Sequence, residues 1–203
     1  MFLIVFLKHS KNRIDMKINE SLVGHFLIAS PSLKDPNFEK TVTLVCEQNE
    51  SGSLGLIINK PLHHDLDDVI NQMNLNEVNT SDVSFLQGGP VGLDRGFVIH
   101  NSGMWKNTTE INENTFITSS RDIIDDIIDG QGPSHSLFIV GYSGWGPGQL
   151  ESELMTNSWI SAPYDPTIVF DVDTESRWEK SIDSLGIKSI NIKFGFIMML
   201  KYI

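Results

Sequence analysis

Read for period, the chain breaks into short strand-like and helix-like pieces that do not alternate strictly. Gly24–Ser30 (GHFLIAS) is an apolar run and Thr41–Glu47 (TVTLVCE) alternates at period two, as strands do. Between them, SPSLKDPNF carries two prolines among turn formers and reads as a loop. SLGLIINKP resumes the strand pattern until Pro61, and the QNESG cluster before it predicts a hairpin with 41–47. A short strand over 83–86 ends in QGGPVG, RGFVIHN is another, and MWKNTTEINEN is a polar loop or short hairpin. Strand patterns also cover 116–119 and 167–172. Ser136–Tyr142 is nearly all apolar, as expected of a central strand covered on both faces.

Helical spacing marks four further pieces. In DLDDVINQM, Leu66, Val69, Ile70 and Met73 share a face behind Asp65 as N-cap. In SSRDIIDDIIDG, Ser119 caps, Asp122 sits at N3, Ile123, Ile124, Ile127 and Ile128 form the buried stripe, and Gly130 ends the helix. Residues 149–157 form a third. In TESRWEKSIDSLG, Trp178, Ile182 and Leu185 share a face and Gly186 is the stop. Interspersed strands and helices predict one α+β domain, a mixed, largely antiparallel β-sheet flanked by α-helices in an α/β-sandwich-like arrangement. Residues 16–187 make that domain. Residues 1–15 read as an N-terminal tail with a misassigned start, and 188–203 as an atypical apolar C-terminal tail.

Charge narrows the partners. The 203 residues include 26 acidic and 15 basic ones, for a formal charge of −11. Such a surface repels phosphate backbones and anionic lipid, which argues against direct nucleic-acid binding and against membrane association. The N-terminal apolar run precedes its basic residues, the reverse of a secretory signal, and is too short to span a bilayer, as is FGFIMMLKYI at the other end. The expected address is the cytoplasm. Cys46, the single cysteine, lies on the same alternation as Val42 and Leu44 and reads as a small core residue.

The stretch FIVGYSGWGPGQLESEL invites three chemical readings. A nucleophile elbow needs glycine two residues after its serine, but Trp145 follows Ser143 there, and no histidine comes later than His135. A phosphate loop needs G-x-G-x-x-G or a Lys-Ser/Thr ending, and Gly144-Trp-Gly146-Pro-Gly148 has neither. What remains is a strand-to-helix corner with Trp145 as a plug, or a small-ligand pocket in which Trp145 stacks and Gln149 hydrogen-bonds. FLQGGPV makes a second corner, a backbone-amide nest with Arg95 as anion anchor, or a plain turn with Arg95 paired to an acid. Adjacent His63 and His64 point to opposite sides, so the cluster through Asp68 fits a capped helix start better than a metal site. Asp125 and Asp126 fall on the solvated side of the isoleucine stripe. No metal or cofactor is called for.

These corners carry a resemblance. GHFLIASPSLKDPNFEKTVTLVCE, SLGLIINKP, FLQGGPV, RGFVIH, ITSSRDIIDDI, GYSGWGPGQLESEL, NSWI and RWEKSIDSLGI stand in the order of the YqgE/AlgH family of bacterial proteins. The likeness runs from Gly24 to Gly186. Gly146-Pro147 departs from it slightly, and the segments before Met16 and after Ile187 do not follow it. The resemblance implies a compact cytosolic α+β domain with no established activity or cofactor, some members bearing the label of transcriptional regulator. With the corners, it points to Asp35, Asn59, Gln87, Gly88, Gly89, Arg95, His100, Gly144, Trp145 and Gln149 as ligand-binding candidates, with no catalytic residue. The favoured reading is a non-catalytic binding or regulatory module acting through a small ligand or protein partner, its pocket between the two glycine corners. The alternatives are an enzyme using Asp35, His100 or Glu151 in one cleft, and an oligomerising protein with Trp145 and Trp159 at the interface.

Overall fold

The computed structural model describes residues 21–62 and 85–186. The helix expected over 65–73, the His63–Asp68 cluster and both tails lie outside the described residues. In chain order the elements are β1 (Phe26–Ala29), β2 (Val42–Asn49), β3 (Gly52–Ile57), β4 (Phe85–Gln87), β5 (Val91–His100), β6 (Thr108–Asn112) and β7 (Thr115–Thr118). Then follow α1 (Asp122–Ile128), β8 (Ser136–Trp145), α2 (Gln149–Met155), β9 (Trp159–Ala162), α3 (Pro166–Phe170), a 3-10 turn (Thr174–Ser176) and α4 (Arg177–Ser184). The strands run β6-β7-β5-β8-β3-β2-β1-β9, with β4 alongside β8. The β4–β8 pair is parallel and the other strand pairs are antiparallel. This is a single α+β domain built on a nine-stranded, mostly antiparallel sheet flanked by a few helices.

The sheet curls until its ends meet. Thr115 at the start of β7 donates a hydrogen bond to the Tyr164 hydroxyl just beyond β9. Gly24, ahead of β1, lies against the Ile111 carbonyl of β6. Side chains pointing inward, among them Phe26, Ile28, Leu44, Leu56, Ile99 and Ile139, form the main core, closed by Ile168 and Val169 of α3 and Trp178 and Ile182 of α4. Outward-pointing residues are buried too. Leu27, Ala29 and Val45 pack with Trp145, Leu150 and Trp159 under α2, while Val98 and Phe138 pack with Ile123 and Ile124 of α1. Two-sided burial explains why β1 and the middle of β8 read as unbroken apolar runs. Cys46 is half-buried against the main core, and its burial pushes the thiol pKa well up.

α4 is pinned by polar contacts as well as by its stripe. Trp178 Nε1 donates to the Ala29 carbonyl at 2.9 Å. The buried Arg177 guanidinium donates to the Ile58 carbonyl and, at 3.1 Å, to that of Val172. Desolvation brings its pKa down to about 10, with Asp173 opposing that shift.

Two expectations are corrected and one strand is added. Residues 167–172 are mainly helix, because Asp165 caps Thr167 N at 2.9 Å and Pro166 occupies the first turn, which outweighs the β-branched run after them. β9 was not anticipated: four residues are too few to show a period. α1 starts at Asp122 rather than behind Ser119, and Ser120 instead bonds Asp122 and the Lys106 carbonyl. The segment 104–114 resolves as the hairpin alternative, β6 turning into β7.

Candidate functional site

β8 organises the candidate residues. Ser136–Val140 pair with β5, and within that stretch Phe138–Val140 also pair with β4, while Ser143–Trp145 pair with β3. The handover occurs at Gly141, at φ +71°. There the glycine corners meet directly. A Cβ on Gly88 would lie 2.3 Å from the Gly141 oxygen, and one on Gly89 2.3 Å from the Tyr142 carbonyl. Ser143 is fully buried and its hydroxyl donates to the Gly88 carbonyl at 3.1 Å. Among the described residues, backbone fills the space between the corners where a pocket was expected, and the glycines are what let the two segments approach so closely.

At the outer end of β8, Trp145 packs on the outer face under α2 and is 5 % exposed. Its ring meets that of Trp159 edge-on at 5.9 Å, and Phe38 packs edge-on against Trp159 at 5.5 Å. One carboxylate ties the corner together. Glu153 Oε2 accepts from Trp145 Nε1 at 3.0 Å and from Trp159 Nε1 at 2.7 Å, and Oε1 accepts from Gln149 Nε2 at 2.9 Å. Gln149 Oε1 in turn accepts from Gly146 N at 3.0 Å. Glu153 was not among the candidates. Its i,i+4 spacing from Gln149 is visible in sequence, but its role needs Trp159, which only the fold brings near. Glu151 accepts from Gln48 at 2.8 Å.

An open groove of about 290 Å3 runs beside this end, lined by Glu47, Asn49, 51–54, Tyr142, Gly144 and Trp145. Arg95 is not one of its lining residues but lies against Tyr142, which is one. Its guanidinium lies 5.4 Å from the Tyr142 ring centroid and 5.7 Å from that of Phe97. The two ion pairs among the described residues are Lys34–Glu39 and Arg121–Asp125, so Arg95 is not paired to an acid there.

His100 sits at the opposite end, opposite Ser136. Ten strand residues separate it from the corner by roughly 30 Å. It is fully buried, stacked on Phe116 with Trp105 edge-on. Nδ1 meets the Ser102 carbonyl at 2.8 Å and therefore carries the proton, while Nε2 accepts from Thr118, itself 2.5 Å from Thr108. Burial holds its pKa below the ordinary value and the Ser102 contact opposes the shift. Asp35 and Asn59 brace the 31–41 loop: Asp35 accepts from Asn37 N, and Asn59 bridges Val42 N and the Lys40 carbonyl. Gln87 closes β4, its N–H on the Lys60 carbonyl. Asp126 is not simply solvated either, accepting from Trp105 Nε1 at 2.7 Å.

The structure thus gathers Gly144, Trp145 and Gln149 with Arg95 nearby, sets Gln87, Gly88 and Gly89 into the packing behind them, and leaves His100 elsewhere. A second cavity of about 280 Å3, floored by Phe85, Val98, Phe138 and Val140 near the start of α1, is lined by none of the ten. Much of its hydrogen-bonding capacity is consumed internally: Thr118 serves His100, Ser120 serves Asp122, and Arg121 pairs with Asp125.

A profile of the AlgH-like family matches residues 26–190. This chain belongs to the AlgH-like family. A UPF0301 protein of Legionella pneumophila strain Corby is 45% identical over 176 residues, covering 85% of this chain and 94% of its own. One from Nitrosococcus oceani is 43% identical over 167 residues, covering 81% and 89%. The solution structure of the AlgH protein from Pseudomonas aeruginosa, at 39% identity, superposes with a TM-score of 0.72 over 87% of this chain and 94% of that one. A Corynebacterium diphtheriae protein at 22% identity and a TM-score of 0.64, covering 81% and 87%, shares the AlgH-like fold. Among the described residues, no helix is long and apolar enough to cross a membrane.

Proposed function

We propose that the protein is a non-catalytic binding or regulatory module of the cytoplasm, working through a small ligand or protein partner held at the outer end of β8. The observation that carries this is the open groove beside Tyr142 and Gly144 with an Arg95 that no acid neutralises among the described residues. Polar groups left open on a rigid strand end suit recognition. If the protein regulates transcription, a charge of −11 favours an indirect route.

The rival readings fare less well. An enzyme of the kind considered needs at least two of Asp35, His100 and Glu151 at one cavity, and none of the three lines either of the two cavities described above. An interface built on Trp145 and Trp159 needs them exposed, and they are buried against each other. Native mass spectrometry of protein purified from its own host tests the proposal: wild type is expected to retain a bound ligand or partner that Tyr142→Ala loses. An anisotropy titration with duplex DNA between about 50 and 200 mM salt should stay flat, and salt-sensitive, sequence-specific binding would overturn the indirect route.

A further inference from the structure

We infer that Arg95 is an oxyanion anchor, and that the groove beyond Tyr142 takes the hydroxylated body of the same small molecule: a monoanionic or dianionic polyol such as a phosphorylated sugar. This rests on the binding-module reading above and names its ligand class. The first support is the backbone. Val91 pairs with Tyr142 and Gly96 with Val140, so β5 loops out Gly92–Arg95 opposite the single residue Gly141. A bulge of this kind re-aims side chains, here Arg95. Gly92 has φ +59°, and a Cβ there would lie 2.8 Å from Tyr142 Cε1 and 3.2 Å from Arg95 Cδ, so the stack needs glycine at that position.

The second support is chemistry left unused. The Arg95 guanidinium carbon lies 5.4 and 5.7 Å from the Tyr142 and Phe97 ring centroids, contacts that leave its N–H donors without an acceptor among the described residues, and such a fork can grip a carboxylate or phosphate in two places. In a chain with 26 acids, no ion pair uses that fork among the described residues. The third is the groove wall. Ser51 and Ser53 offer hydroxyl groups and Gly144 offers bare backbone, while Asn49 is held by Glu47 and Ser51 N, and the Glu47 carboxylate repels a second negative charge. One anionic end and a neutral hydroxylated body fit that order.

The test is an NMR titration of isotope-labelled protein with glucose 6-phosphate, glucose and inorganic phosphate, read at the amides of Gly92, Tyr142 and Gly144. Saturable shifts are expected, with glucose 6-phosphate binding at least about tenfold tighter than either fragment. Arg95→Met, which keeps the apolar stem on the rings, should lose that advantage at an unchanged melting temperature, and Arg95→Lys should recover part of it. Equal affinity for phosphate alone would mean an adventitious ion only and overturn the polyol half. No saturation, or undiminished binding in Arg95→Met, would overturn the inference. If the host-derived ligand stays on Arg95→Met while glucose 6-phosphate fails, the inference falls and the binding-module reading stands; if wild type carries neither, both fall.

Discussion

The two ends of β8 share a strand and little else. At the inner end, His100 passes its hydrogen bonds to Ser102 and Thr118 and is sealed between Phe116 and Trp105. At the outer end, Trp145 and Trp159 share one carboxylate below, while Gly144 and Tyr142 face an open groove and Arg95 lies against the Tyr142 ring. Between them, glycines press two backbones together. A glycine-rich corner can therefore be packing at one residue and surface three residues later, and only the atoms around each glycine tell which. A histidine in a promising motif can likewise be committed wholly to the interior.

Substitutions sharpen this contrast, beginning with the seam. Gly89→Ala should destabilise by about 3 kcal/mol or more, from the overpacking of a Cβ 2.3 Å from Tyr142 and the strain of φ +155°. Urea unfolding measures it, and a neutral result would mean that the two backbones can part. Glu153→Ala strands two indole N–H groups and should cost about 2–4 kcal/mol, with Glu153→Gln losing about half as much. The inner end has a pH signature. Because the folded pKa of His100 lies below 6.5, the unfolded chain takes up the proton first as pH falls. Stability from this group is complete above 6.5, declines on acidification through that value and levels off below the folded pKa. His100→Gln should remove that segment of the stability profile. The smallest effect belongs to the exposed corner: Gly146→Ala, where a Cβ meets only Gln149 Oε1 at 3.8 Å, should stay within about 0.5 kcal/mol of wild type.

Much of the scaffold was legible. The strand at 26–29, the hairpin of 42–57, the central run at 136–140 and the Trp178–Ile182 stripe announce themselves because their burial is continuous or periodic along the chain. α3 was misread because its signal is the Asp165-Pro166 start and not its β-branched body. The candidate site was legible only as a set of unusual residues. That Gly88 and Gly89 face Gly141 and Tyr142, that Glu153 serves two indoles and that Arg95 lacks an acid all depend on contacts between distant segments, which local pattern does not encode.

The curling of the sheet has a consequence for synthesis. β1 leaves the ribosome well before β9, yet its outer edge is filled by β9, and the Tyr164–Thr115 contact comes just after that. A nascent chain must carry an apolar, half-paired edge until nearly the whole domain has emerged. Truncations ending before Trp159 are expected to aggregate rather than form a smaller native unit, and cells making this protein quickly should lean on chaperones that shield exposed strands.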